Sequence, residues 1–109
     1  MDKTKRAKLA KAGWQVGSVQ PFLGLTDAEV AYLDLKAALA ETLRATRVAR
    51  RLTQVEAAAR LASSQSRLAK MEAADASVSI DLLVRSVFGL GGKATDIARA
   101  LQAHTRSRS

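Results

Sequence analysis

Residues 53–72 read TQVEAAARLASSQSRLAKME, and this stretch decides the fold. Thr53 with Glu56 three residues on is a capping box, in which the hydroxyl accepts from the Glu56 amide and the carboxylate reaches back to the Thr53 amide. The box opens a helix expected to run to Leu61, with Ala58, Leu61 and Val55 on its buried side. After Leu61-Ala62-Ser63, Ser64 is an N-cap for another helix, with Leu68 and Met71 facing inward. Ser66, Ala69 and Lys70 face outward there, flanked by Gln65 and Arg67. Neither segment is long enough to hold its own helical conformation in water, so the pair must be stabilised by packing.

Upstream, Thr26 with Glu29 forms another capping box. Leu35, Ala38, Leu39, Thr42, Leu43, Thr46 and Ala49 then recur at three- and four-residue steps, one apolar stripe on a helix running to about Arg51. Downstream, Asp75-Ala76-Ser77-Val78 breaks the pattern. Ser79 caps a helix with Ile80, Leu83, Val84 and Val87 inward, and Gly89, Gly91 and Gly92 end it. A final helix is expected from Lys93 to Ala103, carrying Ile97 and Leu101, with a disordered tail from His104. At the other end, Lys3 to Ala12 reads as a short basic helix closed by Gly13. Trp14, Val16, Val19, Phe22 and Leu23 lie in a stretch broken by Gly17, Pro21 and Gly24 that must pack on something: the chain's own core, or a partner. The expected organisation is an N-terminal extension over residues 1–25, a helical domain over 26–92, and a C-terminal helix with its tail over 93–109.

Composition supports an all-α chain: 48% of its 109 residues are apolar but only 4% aromatic, and Ala, Leu and Arg dominate. With no Cys and a single His, His104, no zinc site, disulfide or Ser/His/Asp arrangement can be assembled, and neither cofactor, metal nor enzymatic activity is expected. No apolar run approaches the ~18 residues of a membrane span and no signal-peptide pattern is present, so a cytoplasmic, nucleoid-associated location is expected. The net charge of +8 is unevenly spread. Residues 1–13 carry +4 and residues 14–43 carry −3, whereas residues 44–72 carry +5 from Arg44, Arg47, Arg50, Arg51, Arg60, Arg67 and Lys70 against Glu56 and Glu72. Positive charge concentrated around the paired short helices suits a phosphate backbone.

A helix presenting small polar and basic side chains meets the requirements of reading the major groove, which is about 12 Å wide and admits one helix. Ser66 and Ala69 permit close approach, Gln65 has the groups to pair with adenine, and Arg67 or Lys70 can reach guanine or phosphate. Residues 43–91, LRATRVARRLTQVEAAARLASSQSRLAKMEAADASVSIDLLVRSVFGLG, resemble the lambda-repressor-like helix-turn-helix family without insertion or deletion. The resemblance implies a five-helix domain, here with a short helical N-terminal extension, that binds operator duplex DNA. It also implies DNA contacts by Gln54, Gln65, Ser66 and Lys70, with Arg67 beside them, and pairing of Arg47 with Glu72. Thr53 and Ser64 open the two helices in register, and Arg44, Arg50 and Arg51 are further candidates for phosphate contacts. The chain departs from the family pattern at the turn, where Ala62 replaces Gly and Ser63 an aliphatic residue, and at Ala57, which replaces Leu.

In overall layout, with residues 13–25 preceding a terminal helix-turn-helix, the chain is similar to antitoxins of the host-inhibition-of-growth type in toxin-antitoxin systems. That resemblance implies a RelE-like toxin as partner, contacted by Trp14, Val16, Val19, Phe22 and Leu23, and autorepression of an operon by a homodimer paired through Leu90, Ile97 and Leu101. The alternative is a stand-alone bacterial or phage transcriptional regulator with residues 1–25 packed on its own helices. RNA binding is disfavoured by the scarcity of aromatic stacking residues.

Overall fold

The computed structural model describes residues 24–108, with side chains through residue 103. Five helices follow one another: α1 (Asp27–Ala49), α2 (Gln54–Arg60), α3 (Gln65–Glu72), α4 (Ile80–Gly89) and α5 (Ala94–Arg108). No strand occurs among the described residues, and the all-α expectation holds. The basic segment Lys3–Ala12 and the residues Trp14, Val16, Val19, Phe22 and Leu23 lie outside the described residues.

The starts of the helices are set by local chemistry. Thr26 and Thr53 each accept from the amide three residues on and receive the glutamate in return, so both capping boxes form. Ser64 accepts from the Arg67 amide and Ser79 from the Leu82 amide, each at 3.1 Å. The ends share one device. The amide of Leu52 donates to the Arg47 carbonyl, Ser63 to Ala58, Asp75 to Lys70 and Gly92 to Val87, closing α1 to α4 with the same six-residue reversal. Each reversal needs a residue of positive φ: Arg51 (58°), Ala62 (53°), Ala74 (54°) and Gly91 (90°). Only the last is glycine, so three of the four reversals place a Cβ in the left-handed region that disfavours it.

Long α1 is the spine: α3, α4 and α5 all pack on it, and α2 packs on α3. Leu39 and Leu43 of α1, Ala57 and Ala58 of α2, Leu68 and Met71 of α3, and Val78, Leu83, Val87 and Leu90 around α4 form one core. Burial of each leucine in this set is worth about 1.5–3 kcal/mol. The hydroxyls of Thr42 and Thr46, buried on the same stripe, donate to the carbonyls of Ala38 and Thr42 at 2.8 Å, so polar groups enter the core already satisfied. Close approach explains Gly89, where a Cβ would lie 2.6 Å from Leu61 Cδ2 at the end of α2.

Several expectations are corrected. Val55 is 66% exposed, because the stripe that α2 turns inward runs through Ala57, Ala58 and the half-buried Leu61 and leaves Val55 outside it. Ala49 is exposed at the end of α1. Leu90 is only 2% exposed, since the reversal after α4 folds it back into the core, and Ile97 packs against that core from α5, with Leu101 half-buried on the same helix. Leu90 is therefore unavailable as a dimer contact. Helix α5 runs through the expected tail to Arg108, in keeping with an Ala-rich sequence free of Gly and Pro after Gly92.

Candidate nucleic-acid interface

Helices α2 and α3 meet across the Leu61–Ser64 turn, and the side chains that tie them together form a continuous polar chain. Arg47 of α1 donates from Nε to Glu72 Oε2 at 2.6 Å and from Nη2 to Glu72 Oε1 at 3.1 Å, a two-pronged pair, while Nη1 donates to the Leu52 carbonyl at 2.9 Å. The two side chains are 14% and 6% exposed, so the pair is shielded from solvent and its geometry is fixed. The hydrogen bond to Glu72 raises the Arg47 pKa against the opposing effect of burial, and the guanidinium stays charged. Glu72 then accepts from Gln54 Nε2 at 3.2 Å, and Gln54 Oε1 accepts from Gln65 Nε2 at 2.8 Å. A path of hydrogen bonds thus runs from α1 through the end of α3 and the start of α2 to the exposed first residue of α3. The pairing of Arg47 with Glu72 implied by the resemblance is present; its extension to Gln54 and Gln65 carries no signal in the linear sequence.

Around Gln65, the side chains of Ser64, Ser66, Arg67 and Lys70 are exposed, whereas Leu68 and Met71 are fully buried beneath them. The division of α3 into a packed and a solvent face follows from its spacing. Thr53 is exposed at the mouth of α2; there its amide and then its hydroxyl hold the Glu56 carboxylate below the ordinary glutamate range.

The remaining arginines are spread differently. Arg44 is exposed and lies 3.8 Å from Glu41 within α1, a solvent-screened pair. Arg51 is exposed on the positive-φ residue after α1. Arg50 crosses to the far end of the chain, where its guanidinium donates to the Gly91 carbonyl and lies over the Gly91 Cα, tying α1 to the α4–α5 reversal. Its charge faces that reversal and not α3, so it is separated from the α2–α3 group.

Lys36, unmarked by the sequence pattern, is buried on α1 and donates from Nζ to the Asp75 carbonyl at 2.7 Å, anchoring the loop just beyond α3. Burial lowers its pKa and the Asp75 charge opposes that shift. Asp75 itself is held below the ordinary aspartate value by the Ser77 hydroxyl and amide. Among the described residues no group of His, Asp and Glu is arranged to hold a metal, and no helix is long and apolar enough to cross a membrane.

Two short helices at the surface, the second with an exposed basic and polar face, the first braced against it, make a helix-turn-helix in geometry as well as in sequence. No curated protein and no solved structure matches the chain. A family model described as a helix-turn-helix domain matches residues 22–98, more than half of its length and the whole of α1 to α4, and the chain belongs to that helix-turn-helix domain family.

Proposed function

We propose that this helix-turn-helix regulator represses transcription by laying α3 in the major groove of an operator. Gln65 and Ser66 would meet base edges, and Arg67 and Lys70 bases or phosphates, with Gln54, Thr53 and Ser64 at the flanking backbone. The observation that carries this reading is the exposed polar face of α3, whose first residue is tied through Gln54 and Glu72 to the body of the domain. Arg44 and Arg51 are kept as outer phosphate contacts. Arg50 is reassigned to bracing the α4–α5 reversal.

The test is binding to promoter DNA over a salt series. Wild type is expected to bind selectively, with affinity falling as salt rises. Arg67→Ala and Lys70→Ala are expected to weaken binding and to flatten the salt dependence by about one unit of slope for each phosphate no longer neutralised. Binding that is blind to sequence and indifferent to both substitutions would overturn the reading.

Operator binding is proposed to involve a homodimer. With Leu90 in the core, the apolar group at the α4–α5 end is Phe88, 47% exposed, and it replaces Leu90 as the proposed contact, alongside the outer surface of α5. The antitoxin role, with a RelE-like toxin held by Trp14, Val16, Val19, Phe22 and Leu23, is the proposed physiological setting. It draws support from an exposed aromatic on the first turns of α1: Tyr32 is 47% exposed, beside a cleft lined by Ala28, Glu29, Tyr32 and Leu33. Co-purification with the product of a neighbouring gene tests it. A complex that disappears on Trp14→Ala and Phe22→Ala supports the toxin partner, and a chain that binds its operator but captures no neighbour favours the stand-alone regulator.

A further inference from the structure

We infer that Glu72 is a positioning residue that sets base preference from beneath the surface, by fixing which way round the amide of Gln65 is presented to DNA. The inference rests on α3 reading base edges, as proposed above.

A carboxylate has no hydrogen to give. Glu72, held on both oxygens by Arg47, can therefore only accept, and Gln54 must turn its amide nitrogen to it, as it does at 3.2 Å. With the nitrogen side of its amide turned to Glu72, Gln54 directs its oxygen toward Gln65, and Gln65 answers with its own nitrogen, at 2.8 Å. Each amide has two faces of opposite character, and the acceptor-only end of the chain decides the order of all of them. What remains on Gln65 is the whole of Oε1 and one N–H.

One acceptor and one donor match the major-groove edge of adenine, which offers the N6 donor and N7 acceptor. The reverse order would leave Gln65 with two N–H groups facing outward, the set suited to guanine, whose O6 and N7 both accept. Glu72 excludes that reverse order, because it would set the Gln54 oxygen against a carboxylate. Discrimination between the two purines is thus decided at a residue whose side chain is only 6% exposed.

The substitution Glu72→Gln lifts the constraint. Whichever way the new amide turns, one Arg47 donor loses its acceptor, and with the nitrogen toward Gln54 it can donate to Gln54 Oε1, so the reverse order of the chain is open alongside the original one. Gln54→Leu cuts the chain in the middle and leaves the pair of Arg47 with Glu72 in place.

The probe is a set of duplexes selected from a randomised library by wild-type protein. At each position of the resulting consensus, the ratio of affinity for adenine over guanine is measured for wild type, Gln65→Ala, Glu72→Gln and Gln54→Leu, with thermal melting alongside. The expected result is one position where wild type favours adenine by about 10-fold or more, the range of a two-point contact, and where Gln65→Ala loses the preference. There, Glu72→Gln and Gln54→Leu bring the ratio toward or below unity and leave ratios elsewhere unchanged. A general loss of stability would weaken every position together and leave that one ratio intact. If Gln65→Ala abolishes the preference but Glu72→Gln and Gln54→Leu keep it, the assignment to Glu72 is overturned and base reading by α3 stands. If no consensus is selected, or Gln65→Ala alters no position, base reading by α3 falls and this inference with it.

Discussion

Ser63 shows what a single substitution in a turn does to a packed surface. Its hydroxyl is enclosed between α2 and α3 and has no hydrogen-bond partner among the described residues, at a position where the sequence resemblance places an aliphatic side chain. An unpaired enclosed hydroxyl costs about 1–3 kcal/mol, so Ser63→Ala is expected to raise stability by about 1 kcal/mol in chemical denaturation, with operator affinity unchanged. A loss of stability would mean that the hydroxyl is satisfied by water. At this scale residue spacing is legible only where partners are neighbours, and the one distant pair foreseen, Arg47 with Glu72, came from the family resemblance. Thr26 with Glu29, Thr53 with Glu56, and Ser64 and Ser79 could be assigned because each acts three residues away. Lys36 reaches Asp75 across 39 residues, Arg50 reaches Gly91 across 41, and Gln54 reaches Glu72 across 18, distances that only the tertiary fold closes.

At the level of elements, helix type and order were readable because apolar spacing and caps agree, whereas the depth to which each apolar residue sinks was not. Val55 reads as well as Ala57 in a run of apolar residues, and only the docking of α2 on α3 separates the exposed one from the buried one. The shared reversals at the helix ends give a second prediction. Ala62→Gly and Ala74→Gly each remove a Cβ from the left-handed region, offset in part by the greater freedom of glycine in the unfolded chain. Each is expected to raise stability by about 0.5–1 kcal/mol, read as an increase in melting temperature, with the two effects adding.

The loop after α3 gives the pH dependence. The Ser77 hydroxyl and amide hold Asp75 below its ordinary value of 3.8. The folded state therefore binds that proton less readily than the unfolded state, and the stabilisation is complete above 3.8 and lost as pH falls through the depressed value. Ser77→Ala is expected to lower stability at neutral pH and to narrow its difference from wild type as acid is added, followed by denaturation at several pH values. A difference that stays constant with pH would refute the linkage.

For the molecule as a whole, the uneven charge of the sequence finds a place: the +5 of residues 44–72 spans the end of α1 and all of α2 and α3, and the −3 of residues 14–43 includes most of α1. Apart from Arg50, which faces the α4–α5 reversal, this positive charge would draw a polyanion to the helix-turn-helix end of the domain, in keeping with the proposed function. Phe88 lies at the α4–α5 end, on the segment proposed to pair two copies. Phe88→Glu is expected to shift the protein to monomer in sedimentation velocity and to lower operator affinity at least about 10-fold while sparing the fold, because a half-exposed side chain is removed without opening the core and the coupled half-site no longer contributes. An unchanged sedimentation coefficient would move the dimer contact elsewhere.

Lys36 offers one more handle. Its amine, buried against the carbonyl that follows α3, is sealed from reagents in the closed fold and can be acylated only when that burial is undone. An amine-acylating label should mark the exposed Lys70 and Lys93 at once and Lys36 only when the loop beyond α3 lifts from α1. The slow arrival of that one adduct is then a clock on how often α3 loosens its seat, and on the proposed reading operator DNA slows it.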